Sequence, residues 1–166
     1  MIGLSNFKKK FSISLIDCYG EWDSHFKNLK ENKINIYKLQ NKIKFKIDSY
    51  GFLLSRCLYF FTLIFSYKKL KKILNKNKPE YLIVHLLTFI PLLLFLNNNF
   101  KTKLILRISG KPKFTLFRLL LWKISNKNIH LVFCPTKETM NYLAKKKVFK
   151  NFKIKFLPDP VIYKKE

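Results

Sequence analysis

The stretch 78–112, KPEYLIVHLLTFIPLLLFLNNNFKTKLILRISGKP, limits the fold more than any other part of the chain. Two short apolar runs, 81–87 and 104–108, flank a segment that opens at Thr88, carries Pro91 in its first turn and closes on Asn97-Asn98-Asn99. Thr88 is the expected helix cap. Proline costs little in a first helical turn, because the N–H it lacks would be unpaired there. The apolar runs read as parallel strands covered on both faces, since such strands are continuously apolar rather than alternating. The pattern is therefore strand, helix, strand. Ligands of parallel α/β sheets sit beyond the carboxyl ends of the strands, which makes Ser109-Gly110-Lys111-Pro112 the first candidate site.

The flanking sequence repeats the unit. Residues 4–10 read as the tail of a helix, 11–17 as a strand, and 21–31 as a helix with Trp22, Phe26 and Leu29 on one side. Residues 34–39 read as a second strand and the lysine-rich 40–48 as a loop. Asp48-Ser49 offers a cap for a long helix over 51–74, apolar in its first half and basic in its second. A membrane span needs about twenty apolar residues; this run is shorter and contains Arg56. It is either a helix packed on the sheet or an interfacial helix on anionic lipid. Beyond the central unit come a helix over 117–124 with Arg118 and Lys123 on its polar side, a strand over 130–134 and a helix capped by Thr136. Thr139 stands where a capping box has Glu or Gln. A last strand over 154–157 precedes Pro158-Asp159-Pro160. Strands and helices alternating at this spacing specify an α/β fold: a Rossmann-like three-layer domain with a mostly parallel sheet.

At 166 residues the chain has room for one sizeable core, and with 48% hydrophobic and 16% aromatic residues it has the material for one. No basic start, apolar core and small-residue cleavage site occur together at the amino end, so a cytoplasmic location is expected. Cys18, Cys57 and Cys134 are odd in number and lack metal spacing, which fits reduced core thiols. The formal charge of +25 would ordinarily point to nucleic acid or an anionic membrane surface. Only three of the 34 basic residues are arginine, however, and Lys, Asn, Ile and Phe dominate together. All four have AT-rich codons, so base composition accounts for much of the charge and no specific nucleic-acid role is expected. The lysines of 68–78 and 145–155 leave peripheral binding to a membrane or polyanion as the alternative function, without catalysis. A protein with two membrane helices would need 52–65 and 81–96 to be helical throughout.

His85, inside an expected strand, is either a core histidine or a polar group near the sheet mouth. Gly110 serves either a tight turn or close backbone approach of a ligand. Arg107, Lys111 and Lys113 bring positive charge to the same loop, of a kind suited to phosphate. Asp17 and Glu21 close another strand and would also face a mouth, as a weak carboxylate pair. His25 and His130 have no partner pattern. Neither a dinucleotide fingerprint, a Walker-type loop nor an HExxH sequence is present, and no cofactor or metal is expected.

From residue 78 onward the sequence resembles the amino-terminal domain of family 4 glycosyltransferases, which have the two-domain GT-B architecture. KPEYLIVHL is similar to that family's proline, acid, apolar strand and histidine. LILRISGKP is similar to its strand ending in His-Gly or Ser-Gly. HLVFCPTKETMNYL resembles the strand, hydroxyl residue and helix that follow, and KIKFLPDPVI the hinge strand leading to the second domain. The resemblance implies that residues 1–160 form an acceptor-side domain whose first strand and glycine-rich loop would precede Met1. Residues 161–166 would then begin a linker to a carboxy-terminal, donor-binding domain. It further implies transfer of a sugar from a nucleotide-sugar co-substrate to a glycan or lipid-linked acceptor, without a metal. The complete enzyme would work in the cytoplasm or at the inner face of a membrane, and this chain would be inactive alone. Ser109, Gly110, Lys111, Arg107 and His85 would line the acceptor site. Ser109 takes the place of the family's histidine and cannot perform its proton chemistry near neutral pH, so no catalytic residue is assigned.

Overall fold

Leu104, Ile105 and Leu106 are consecutive in β4 (Lys103–Arg107), and all three are buried. Successive strand residues point to opposite faces, so β4 is covered on both sides and lies in the middle layer of three. The computed structural model describes residues 11–18, 25–31, 34–39, 52–85 and 88–159. The expected helix tail at 4–10, the cap at Asp48-Ser49, the 40–48 loop, Glu21 and the linker at 161–166 lie outside the described residues.

The chain divides into two compact units, Met1–Leu70 and Lys71–Glu166. In the first, β1 (Ser14–Asp17) pairs in parallel with β2 (Asn35–Lys38), and α1 (Phe26–Glu31) connects them. The boundary falls within α2 (Phe52–Asn77), which runs three residues past the expected end at Leu74. In the second unit β3 (Tyr81–His85), β4, β5 (Ile129–Cys134) and β6 (Ile154–Phe156) form a parallel sheet in that order. The crossovers are α3 (Phe89–Asn97), α4 (Leu116–Ser125) and α5 (Lys137–Lys145). Because each step moves one strand in the same direction, right-handed crossovers put these three helices on one face. The fold is α/β and Rossmann-like, with three layers.

Some elements follow the sequence expectation and others depart from it. The 81–96 run is a strand followed by a helix, which removes the two-helix membrane reading. Among the described residues no helix is long and apolar enough to cross a membrane. β3 is continuously apolar yet not doubly covered: Tyr81 is 43% and Ile83 56% exposed, with Val84 buried. It is the edge strand of its four-stranded sheet, paired with β4 alone among the described strands. Thr88 has helical backbone angles and makes no side-chain cap. A capping side chain reaches back to the first turn only from extended backbone, so Thr88 acts instead through its carbonyl, which accepts the N–H of Leu92 at 3.1 Å. Thr115 and Thr136 do have extended backbone, and their hydroxyls accept the N–H groups of Arg118 at 3.3 Å and Thr139 at 3.1 Å. The Thr139 hydroxyl, where a capping box has an acid, takes a hydrogen bond from Thr136 at 3.0 Å.

An aromatic row locks the helices to their loops. Phe114 meets Trp122 edge-on at 5.7 Å and stacks on Tyr142 at 5.8 Å, and Trp122 contacts Phe149 at 5.2 Å. Lys153 is tied into the structure rather than free on a basic surface. Its half-buried ammonium donates to the carbonyls of Asn126 and Ile129, the latter at 2.6 Å, and ties the approach to β6 to the turn before β5. Burial first, and the charge of Lys150 second, hold its pKa below the ordinary 10.5.

Two stability measurements check these assignments. Lys153→Ala removes a charged donor from two carbonyls and is expected to lower the urea unfolding free energy by about 1.5–3 kcal/mol. The neighbouring Lys155→Ala, on an exposed side chain, is expected to stay within about 0.5 kcal/mol of wild type. Lys147 ends α5 with φ 49°, in the left-handed region that costs a residue with a Cβ about 1 kcal/mol or more. Lys147→Gly is expected to raise stability by up to about 1 kcal/mol in the same experiment.

Candidate functional site

Because β3 to β6 are parallel, their carboxyl ends fall along one edge of the sheet. His85 ends β3, Arg107 ends β4, Cys134 ends β5 and Phe156 ends β6. The register sets His85 beside Arg107 and Arg107 beside Phe133. Beyond β4 the Ile108 N–H donates to the Phe133 carbonyl at 2.9 Å, keeping the chain on the sheet until Ser109. The Leu157 N–H does the same with the Cys134 carbonyl at 2.9 Å, which carries the chain on toward Asp159. Ser109, Gly110 and Lys111 then emerge, all exposed. The far end of their loop is held by Phe114 and by the Arg118 guanidinium, whose Nη1 donates to the Lys113 carbonyl at 2.7 Å.

The charges at this mouth are mostly paired. Arg107 forms an ion pair with Asp159. Lys111 lies 3.3 Å from Glu138 and 5.0 Å from the centre of the Tyr142 ring. Lys113 makes no ion pair among the described residues. The expected patch of bare positive charge is thus replaced by an alternation of cations and carboxylates, with only Lys113 left over. Both pairs are largely exposed and contribute little to stability. Their effect is to fix the direction of four polar side chains around the loop.

His85 is exposed at the end of its strand, so it is not a core histidine. Partial loss of water on its sheet side, followed by the positive charge of Arg107, holds its pKa below the ordinary 6.5. The ring is therefore neutral at neutral pH, with one nitrogen to donate and one to accept. Gly110 has open space where a Cβ would stand, and its backbone is outside the left-handed region. No turn requires glycine there. Asp17 is buried at the end of β1, in the other unit. The Cys18 and Cys134 thiols are pushed up to about 11 by burial, with the Asp17 charge a further cause for Cys18; both stay protonated and unreactive.

The parallel order gathers His85, Arg107, Ser109, Gly110 and Lys111 along one edge, and it adds Asp159 and Glu138, which the sequence did not single out. Asp159 is 52 residues from Arg107, and its only local signal is a place between two prolines. Among the described residues no group of three or more His, Cys, Asp or Glu is arranged to hold a metal. No protein-family profile matches the chain, and no curated protein matches it.

The titration of His85 tests the geometry. Its NMR midpoint is expected below 6.5, and Arg107→Gln is expected to move it upward by removing the adjacent charge. The folded ring binds its proton less tightly than the unfolded chain does. The unfolded state therefore holds more protons between the two midpoints, and stability falls as pH is lowered through that window. Above it, His85 contributes no slope.

Proposed function

We propose that the chain is the acceptor-side, amino-terminal domain of a family 4 glycosyltransferase of GT-B architecture. The complete enzyme transfers a sugar from a nucleotide-sugar donor to a glycan or a lipid-linked glycan. The observation that carries this reading is the mixed polar character of the sheet mouth. A neutral imidazole, a serine hydroxyl and two oriented cation–carboxylate pairs offer donors and acceptors in alternation, as sugar hydroxyls require. An anion site would need uncompensated cations and backbone N–H groups instead. The open space over Gly110 lets a sugar approach the main chain there.

In this reading His85, Arg107, Ser109, Gly110 and Lys111 orient the acceptor, and the nucleotide sugar is bound by the second domain of the architecture. The donor domain supplies the remaining groups at the reacting centre, so no residue here is given a catalytic role. Work at the cytoplasmic side of a membrane, where lipid-linked acceptors are presented, belongs to the same proposal.

NMR titration of the 166-residue chain separates the two substrates. A soluble oligosaccharide acceptor analogue is expected to shift the Ser109, Gly110 and Lys111 amides, while UDP-glucose leaves them in place. Gly110→Ala is expected to preserve the unfolding midpoint, since nothing lies within 4 Å of the added carbon, and to weaken the oligosaccharide response. Binding of UDP-glucose tighter than about 1 mM would overturn the division of labour.

A further inference from the structure

The sequence places Arg118 and Lys123 on the polar side of the 117–124 helix, with the apolar side toward the core. α4 keeps both of them exposed and turns much of its apolar side outward as well. Leu121, Trp122 and Ser125 face inward, and Trp122 is clamped between Phe114 and Phe149. Outward stand Leu116, Phe117, Leu120 and Ile124, exposed by 89%, 62%, 58% and 51%. Leu116, Leu120 and Ile124 follow one another at helical spacing, and Phe117 flanks them, braced by Phe89 at 5.5 Å. Single exposed apolar residues need no explanation, but four on one face of a ten-residue helix form a patch.

We infer that this face of α4 inserts into the interface of an anionic lipid bilayer. The charges around it select that occupant. Lys113 precedes the helix, Lys127 follows it, and Lys123 lies along it, all exposed. No Asp or Glu occurs between Glu80 and Glu138. Lys123 is three residues beyond Leu120, on the flank of the stripe, where its long stem can lie along apolar groups while its ammonium meets headgroups. An apolar stripe edged by cations and free of acids is the arrangement that binds anionic membrane surfaces. A second copy of the chain fits less well. Face-to-face pairing of two α4 helices would bring six like charges together with no carboxylate of that region to offset them. The rigid clamp behind Trp122 means the face is presented without rearrangement. This surface is on a helix flank, distinct from the sheet mouth, and the inference holds whatever the mouth binds.

Vesicle co-sedimentation of the full chain tests it. Wild type is expected to bind phosphatidylcholine vesicles only when phosphatidylglycerol is included, and to lose part of that binding as salt is raised. Leu120→Ser is expected to lower the partition coefficient about tenfold, with an unchanged thermal unfolding midpoint because the side chain is exposed. Leu120→Lys, which adds a positive charge, is expected to stay below wild type. Relative to wild type, which carries Trp22 and Trp122, Phe117→Trp is expected to gain a fluorescence component quenched by brominated acyl chains. Four results would overturn the inference: no binding to phosphatidylglycerol vesicles, equal binding to phosphatidylcholine alone, Leu120→Lys binding more tightly than wild type, or wild-type dimerisation abolished by Leu120→Ser.

Discussion

Double coverage of β4 is the constraint on which the second unit depends. Leu104 and Ile105 point to opposite faces, and burying their side chains contributes about 2 kcal/mol each, a gain that exists only while both faces of the strand are covered. α3, α4 and α5, which right-handed crossovers place on one face, supply the cover on one side of the sheet. The strand can then end abruptly at Arg107, because Ile108 still bonds to β5 while Ser109 does not. The position of the candidate site is thus a consequence of where covered strand gives way to open loop.

The same geometry sets the electrostatics of the mouth. Parallel strands deliver residues of distant sequence to one edge, and here they deliver Asp159 to Arg107 and Glu138 to Lys111. Exposed pairs of this kind have little energetic weight. They matter because they convert a chain with a formal charge of +25 into a mouth of mixed sign. Net charge describes the surface as a whole and is a poor guide to any one site. Lys153 makes the point from the other direction, since one of many lysines is a half-buried structural donor.

Much of the second unit was legible in residue pattern alone. Thr136 before a helix, Pro91 in a first turn and the apolar run of β4 each report a local backbone or burial requirement, and each appears where expected. Thr88 misled because a hydroxyl residue before a helix caps it only if its own backbone is extended, and composition does not specify that angle. For His85 the sequence leaves core and sheet mouth both open, because the apolar run around it suits either and burial of the final strand residue depends on what lies beyond the strand. Asp159 was invisible as a site residue because nothing local distinguishes a pairing acid from a solvated one.

Sequence by itself determined the alternation of strands and helices and the place where β4 opens into a loop, because periodicity, caps and turn residues act over a few positions. Tertiary structure alone decided three things. It made β3 an edge despite its apolar run, it paired the cations of the mouth, and it turned the apolar stripe of α4 outward. Each depends on which surfaces meet after the chain has folded. The same leucine reads as core in any window of sequence, and only the presence or absence of a covering layer tells Leu121 from Leu120.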